Sequence, residues 1–267
     1  MYLSQHKYFV KMKKYIMDFT VSRIERVHEH YVLIRLTDDK PLPPMAPGQF
    51  AEVRVDDSPT TFLRRPISIC NVDSEANELW LLVACIGDGT RRLGRLQPGS
   101  QVNCVLPLGN GWTLQGQRAP LLIGGGVGVA PLLYLGRCLK EGGVEPTFLL
   151  GARTKNDLLL IDEFRQVGRV LVTTEDGSAG ERGFVTNHSV LQQEHFDLIQ
   201  TCGPTPMMKA VARYAQEKSI ACEVSLENLM ACGLGACLCC VEKTTEGNVC
   251  VCKEGPVFNI ERLLWQN

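Results

Sequence analysis

The sequence predicts a β-plus-α/β fold: an N-terminal antiparallel β-barrel, then a parallel-sheet α/β domain, then a small cysteine-rich domain. Three observations carry that prediction. Residues 17–113 hold short β-type runs separated by turn clusters, with little helical periodicity. From Pro120 onward, apolar β-type runs alternate with helical segments, the sign of a parallel sheet with crossover helices. Near the end, six of the twelve cysteines crowd between residues 232 and 252.

In the barrel portion the expected strands are Phe19–Arg26, Tyr31–Arg35, Gln49–Val55, Leu79–Cys85 and Gln101–Leu106. Turn clusters such as Asp38-Asp39-Lys40-Pro41 and Pro98-Gly99 punctuate them. In the α/β portion the expected strands are Pro120–Ile123, Thr147–Leu150, Val170–Thr173, Leu198–Cys202 and Cys222–Leu226. Helices are expected at Val129–Glu141, Leu158–Gln166 and Thr205–Lys218. The divisions are therefore an extension at 1–16, a barrel at 17–115, an α/β domain at 116–226 and a terminal domain at 227–267. Met12 and Met17 offer alternative starts, which makes the first sixteen residues a dispensable extension.

Composition narrows the function. A net charge of −1 gives no electrostatic footprint for nucleic acid or an anionic membrane. No apolar run approaches the ~20 residues that span a bilayer, and the N-terminus lacks the apolar core and cleavage site of a signal peptide. Clustered thiols in such a chain fit metal binding in a reducing cytoplasm better than a disulfide framework.

The terminal cysteines are spaced C-x4-C-x2-C, followed after eleven residues by a fourth: Cys232, Cys237, Cys240 and Cys252. This is the plant-type spacing for a [2Fe–2S] cluster. Gly233 and Gly235 suit a loop whose backbone wraps sulfur closely and points N–H groups at it. Structural zinc is the alternative, but zinc ligands usually come in C-x2–4-C pairs. Cys239 and Cys250 are rival ligands. Cys240 completes the x2 interval, and Cys252 precedes the turn Lys253-Glu254-Gly255-Pro256.

Gly124-Gly125-Gly126-Val127-Gly128 follows an apolar run and precedes a helix with Pro131 near its start. Such a turn lets a pyrophosphate approach backbone amides, although it does not fit G-x-G-x-x-G. Cys202-Gly203-Pro204 ends a second apolar run before a helix. Both turns fall at the carboxyl ends of strands, where ligands bind in open α/β sheets. In the barrel, Arg64-Arg65-Pro66-Ile67-Ser68 joins cations to a rigid extended backbone and a hydroxyl, a phosphate-binding combination. Gly87-Asp88-Gly89-Thr90 with Arg91 and Arg92 reads as a β-turn or a second phosphate contact. The scattered histidines, including His28 and His30, read as solvated surface without a role. No Ser/His/Asp or paired-carboxylate pattern suggests hydrolysis.

Taken in order, these motifs resemble the ferredoxin-reductase-like flavoproteins. The ending, Met230-Ala231-Cys232-Gly233 through Cys252-Lys253-Glu254-Gly255-Pro256-Val257-Phe258, resembles the electron-transfer subunits of class B dihydroorotate dehydrogenases. The resemblance implies a Greek-key barrel binding FAD through Arg65, Pro66, Ile67 and Ser68, with Leu82, Val83 and Ala84 lining the cofactor and Gly89 and Thr90 on its phosphates. It implies NAD at Gly124, Gly125, Gly126, Val127 and Gly128, with Gly203 and Pro204 in the second turn and Cys202 beside the nicotinamide. It implies cluster ligands at Cys232, Cys237, Cys240 and Cys252. The partner it implies is an FMN-containing dihydroorotate dehydrogenase catalytic subunit, in a heterotetramer with two of each, serving pyrimidine biosynthesis.

A nicotinamide carries a hydride and a [2Fe–2S] cluster one electron, so a flavin is the natural intermediary. If Glu175 and Asp176 lie beside the nucleotide, their charge disfavours a 2′-phosphate and hence NADP; otherwise they cap the turn at Gly177. The alternative readings are a stand-alone NADH reductase feeding a ring-hydroxylating oxygenase, a hydrogenase-associated NAD(P)H reductase, and a zinc-bearing adaptor without activity.

Overall fold

The computed structural model describes residues 13–265. Six strands form a closed antiparallel barrel: β1 (Tyr15–His28), β2 (Tyr31–Thr37), β3 (Phe50–Val53), β4 (Arg65–Asp73), β5 (Glu78–Ala84) and β6 (Gln101–Leu108). Their order is β1-β2-β5-β4-β3-β6, and β6 pairs back onto β1. Inward residues, among them Phe19, Leu36, Ile69, Leu79 and Leu106, are fully buried and make the barrel core. The strand at Arg65–Asp73 contains Pro66, which cannot donate to a ladder. Its pairing with β5 starts only at Ile69, whereas Pro66 pairs with Glu52 of β3 on the other side. Residues 65–68 therefore present a free edge, and that edge becomes a site wall. The helix α1 (Asp88–Leu93) follows, where the sequence suggested a β-turn.

The extension expected at 1–16 overlaps the barrel, because Tyr15 and Ile16 belong to β1. Residues 1–12, Met12 included, lie outside the described residues, but Tyr15 and Ile16 already pair with Leu106 and Val105. A chain starting at Met17 would lose that closing contact.

The second sheet comprises β7 (Pro120–Gly125), β8 (Thr147–Ala152), β9 (Arg169–Thr174), β10 (Glu181–Arg182), β11 (Leu198–Cys202) and β12 (Ala221–Ser225), all parallel. Helices α2 (Ala130–Glu141), α3 (Ile161–Val167), α4 (Val190–Gln193) and α5 (Thr205–Glu217) accompany them. In the order β10-β9-β8-β7-β11-β12, the chain moves outward from β7 and then crosses to its other side at β11. The crevice between β7 and β11 is thus the topological switch point, and both glycine turns open onto it.

The terminal segment holds the hairpin β13 (Val241–Thr244) and β14 (Gly247–Cys250), the turn α6 (Val251–Glu254) and β15 (Val257–Asn259). It is not set apart from the α/β domain: β15 pairs antiparallel with β12 and becomes the seventh strand of the sheet. One core joins Phe50 and Leu108 of the barrel to Cys240, Cys252 and Phe258. Two contacts fix the barrel against α2. The Tyr134 hydroxyl donates to the Met45 carbonyl at 3.0 Å. The Trp80 ring is approached by two guanidinium groups, of Arg35 at 4.1 Å and of Arg137 on α2 at 5.2 Å. Such stacking contributes about 0.5–2 kcal/mol each.

Candidate functional site

Two cavities and one sulfur-rich loop meet where the barrel, the parallel sheet and the terminal segment converge. The larger cavity, about 540 Å³, opens at the carboxyl ends of β7, β8, β9 and β11. Gly125, Gly126 and Pro204 line it as the sequence suggested. Gly124 and Gly128 do not. A methyl group on Gly128 would fall 2.4 Å from the Gly203 Cα, so these two glycines let the two turns pack backbone to backbone. Gly124 likewise accommodates Leu132 and Val129 of the following helix. The glycine turn is therefore half lining and half scaffold. Thr173 adds a buried hydroxyl with no hydrogen-bond partner, on the wall of this cavity. An orphaned donor beside a glycine-lined crevice suits a nucleotide ribose or base.

Glu175 and Asp176 divide the two roles the sequence left open. Glu175 lines the cavity. Asp176 caps the turn, accepting from the Ser178 backbone N–H at 2.9 Å and its hydroxyl at 2.7 Å, which hold its carboxyl below the usual range.

The histidine reading needs correction. His28 is 15% exposed, with Nε2 3.6 Å from Asp157 Oδ1, and its ring packs on Tyr31 at 5.4 Å. Asp157 and Tyr31 both line the larger cavity. Burial works against the Asp157 charge, but hydrogen bonds from Thr154 and the Arg153 guanidinium outweigh it and hold the carboxyl low. Sequence patterning missed these residues because the contact joins positions 28 and 157, on two different domains.

The smaller cavity, about 250 Å³, lies along the free edge of β4. Arg65, Pro66, Ile67 and Ser68 line it, with Leu82, Ala84 and Thr90 opposite. Val83 was expected there and is not: it is fully buried in the barrel core, because alternate strand residues face opposite sides. Val127 lines this cavity rather than the larger one. Arg64 also turns away, donating to the Glu52 and Asn103 carbonyls at 3.2 and 3.1 Å. Arg65 has no hydrogen-bond or ion-pair partner among the described residues, leaving its donors for an anion. Mostly apolar walls beside one guanidinium without a partner are the lining that an aromatic ring carrying a phosphate needs. Gly89 packs tightly: a methyl there would meet Thr61 at 2.8 Å and Arg65 at 3.0 Å. The Thr90 hydroxyl accepts from the Ile86 and Gly87 amides and so shapes the turn. Arg91 and Arg92 are engaged by Asp88 and Asp57 in exposed ion pairs.

Cys202 lines neither cavity and is fully buried. Burial, with the nearby Glu227 carboxyl 3.9 Å from its sulfur, keeps it a thiol well above the ordinary range. Glu227 lines the smaller cavity, and burial raises its carboxyl too.

The third part is the loop at Cys232–Cys240. Gly233 and Gly235 adopt φ of 63° and 79°, which turns the backbone inward. The Leu234 and Ala236 amides donate to Cys232 Sγ at 3.3 and 3.4 Å, Gly235 to Cys252 Sγ at 3.1 Å, and Cys252 to Cys240 Sγ at 3.4 Å. Burial opposes ionisation of Cys232, but the Leu234, Cys237 and Ala236 amides bring it down to about 6. Burial and the adjacent Cys240 push Cys252 up to about 12. Among the described residues no group of three or more His, Cys, Asp or Glu side chains is arranged to hold a metal ion. Amides aimed at three of the four sulfurs are the donor set a thiolate-bound cluster needs. Cys239 is exposed and receives no such amide, and Cys250 instead meets the Gly235 carbonyl at 3.9 Å.

Comparisons with known proteins agree with this layout. The profile of the iron–sulfur cluster binding domain of dihydroorotate dehydrogenase B matches residues 227–264. That of the oxidoreductase NAD-binding domain matches 122–213. The electron transfer subunit of dihydroorotate dehydrogenase B (NAD(+)) from Shouchella clausii is 43% identical over 222 residues, 80% of this chain and 85% of the relative. The protein of the same name from Fusobacterium nucleatum is 38% identical over 221 residues, 79% and 84% of the two chains. A solved NADH-dependent reduced ferredoxin-NADP oxidoreductase, studied for flavin-based electron bifurcation, superposes with a TM-score of 0.83. It is 30% identical, and the match covers 92% of this chain and 90% of that one.

Proposed function

The chain belongs to the family of electron transfer subunits of dihydroorotate dehydrogenase B, and from that premise we propose that it delivers electrons from dihydroorotate oxidation to NAD⁺. It is an oxidoreductase component that works with a separate catalytic subunit, which carries FMN. The two assemble as a heterotetramer with two of each, in the cytoplasm. The observation that carries the reading is the convergence of a dinucleotide crevice, a flavin-shaped slot and a sulfur-directed amide loop at one junction.

When bound, FAD exchanges the hydride pair of a nicotinamide for the single electrons of a [2Fe–2S] cluster. The side chains have a smaller task. Arg65 holds the flavin's phosphates, while Pro66 and Ile67 keep the slot wall extended. Gly125 and Gly126 admit the dinucleotide backbone, and Glu175 favours a free 2′-hydroxyl over a 2′-phosphate. Cys202, a fully buried thiol outside both cavities, keeps its proton at neutral pH and serves packing. Cys232, Cys237, Cys240 and Cys252 hold the cluster, and the loop amides stabilise their thiolates.

Co-expression with an FMN-containing dihydroorotate dehydrogenase tests the assignment. Dihydroorotate-dependent NAD⁺ reduction should require this chain, and reduction that proceeds equally without it would defeat the proposal. Visible absorption of the purified chain separates flavin and cluster from colourless zinc.

A further inference from the structure

We propose that Tyr31 is a binding residue for the dinucleotide: from the barrel side of the crevice, its hydroxyl donates a hydrogen bond to the phosphate of the nicotinamide half, opposite the turn at Gly126. The inference rests on the larger cavity being the NAD(H) site and adds to that reading a neutral donor from the other domain.

The crevice is not made by the parallel sheet alone. Among the described residues that line it, Tyr31, at the start of β2, comes from the barrel. Its ring packs against that of His28, with centroids 5.4 Å apart, and its backbone belongs to the β2–β5 ladder, so the side chain has a fixed base. The hydroxyl has no hydrogen-bond partner among the described residues. A phenolic hydroxyl on a cavity wall exchanges water for a ligand oxygen without burying a charge. Across from it is Gly126, whose φ of 55° turns the chain into the start of the following helix. Apart from chain neighbours, a methyl on Gly126 would have the Tyr31 hydroxyl at 3.9 Å and nothing else within 4 Å. The space before that turn is therefore open, with glycine backbone on one side and one hydroxyl on the other. An anion seated at a helix start meets backbone from one direction, and Tyr31 supplies a donor from the opposite one.

The register identifies the half of the ligand that passes this point. Tyr31 pairs with Ala84 across β2 and β5, and Ala84 lines the smaller cavity. On the facing wall Gly126 lines the larger cavity, and its neighbour Val127 lines the smaller one. The two cavities thus adjoin at Tyr31 and Gly126, and a nicotinamide reaches the flavin through that junction. Glu175, which the same reading places at the adenosine ribose, follows β9, two strands away from β7 in the sheet. Two strand spacings put the adenosine end roughly 10 Å from the junction. The phosphate beside Tyr31 is therefore the one on the nicotinamide side. A neutral donor suits that position, because it binds the phosphate alike whether the nicotinamide is oxidised and cationic or reduced and neutral.

The test uses the full flavin- and cluster-loaded chain. Calorimetry measures binding of ADP-ribose, which carries both phosphates, and of AMP, which carries only the adenosine-side one. NADH oxidation with an artificial acceptor gives KM and kcat. Tyr31→Phe removes the hydroxyl and keeps the ring. It should weaken ADP-ribose binding and raise the KM for NADH about tenfold, the worth of one hydrogen bond to a charged group. AMP affinity and kcat should stay within about twofold of the parent, with flavin content, iron content and unfolding midpoint unchanged. Unchanged ADP-ribose affinity overturns the inference, and so does an equal loss for AMP, which would mean that the variant disturbs the crevice as a whole. A parent chain that binds neither ADP-ribose nor NADH overturns the reading of the cavity itself.

Discussion

Glu52→Gln should stabilise the chain above neutral pH and leave it nearly unchanged near pH 5. Glu52 sits on β3 with 1% exposure, and neither carboxylate oxygen has a hydrogen-bond partner. The turn at Gly233 rests on it: a methyl on Gly233 would meet Glu52 Cγ at 2.8 Å. Burial pushes the carboxyl from 4.5 up to about 7; Arg65 and Arg64 pull it down, and Cys232 pushes it further up. In the unfolded chain the proton leaves near 4.5, while the folded chain keeps it to about 7. Below 4.5 both states hold the proton and the group is neutral in its effect. Between the two values the folded state binds more protons, so stability falls as pH rises, and above 7 the loss is complete. At about 1.4 kcal/mol per pH unit, the interval amounts to about 3 kcal/mol.

Glutamine keeps the shape under Gly233 and cannot ionise. Thermal unfolding of parent and variant, scanned at one rate from pH 5 to pH 8, should therefore give curves that coincide at the acid end. At pH 8 the variant should melt roughly 5–10 °C higher for a chain of this size. A difference in midpoint that is the same at pH 5 and pH 8 would refute the reasoning, because packing alone has no pH dependence.

Gly128→Ala should cost about 2–4 kcal/mol and abolish NADH binding, since the new methyl meets Gly203 and Cys202 backbone that cannot swing aside; Gly87→Ala, with its nearest neighbour 3.9 Å away, is the control in the same denaturation series. Glu175→Gln should narrow the preference for NADH over NADPH about tenfold in kcat/KM, whereas Asp176→Asn should leave the ratio alone. Cys240→Ser should remove the cluster's visible absorption and bound iron, and Cys239→Ser and Cys250→Ser should retain both.

The sequence was most legible where local pattern and burial coincide. The strand predicted at Pro120–Ile123 is found within Pro120–Gly125, and the two glycine turns are found too, because a fully buried parallel strand reads as a continuous apolar run. The motif residues were harder to divide. Leu82 and Ala84 face the smaller cavity while Val83 does not, and only the register of β5 against β2 and β4 decides which face is which. Gly125 and Gly126 line a cavity, whereas Gly124 and Gly128 serve packing, a distinction set by Leu132 and by Gly203 rather than by the turn itself. Tyr31 and Glu52 were invisible as site residues. Each faces a glycine turn on another domain, and nothing in its own neighbourhood announces that contact.

The terminal segment also acquires a different meaning in three dimensions. It reads as an appended module, yet residues on both sides of its cysteine-rich part form the wall of the smaller cavity. Glu227 through Met230 line that slot just before Cys232, and Pro256 lines it just after Cys252. The Leu226 amide donates to the Pro256 carbonyl at 2.9 Å, closing the segment at its base. Asn110 of the barrel is bound to the same turn, its amide donating to the Gly255 carbonyl at 2.6 Å and its side chain to the Glu254 carbonyl at 3.0 Å. The distance between cluster loop and slot is thus held by backbone hydrogen bonds and by the single residue, Ala231, between Met230 and Cys232. Single-electron exchange falls steeply with separation, so a loop tethered at both ends is better suited to it than a module on a linker. The exposed Leu234 and Leu238 can then meet another surface without altering that distance.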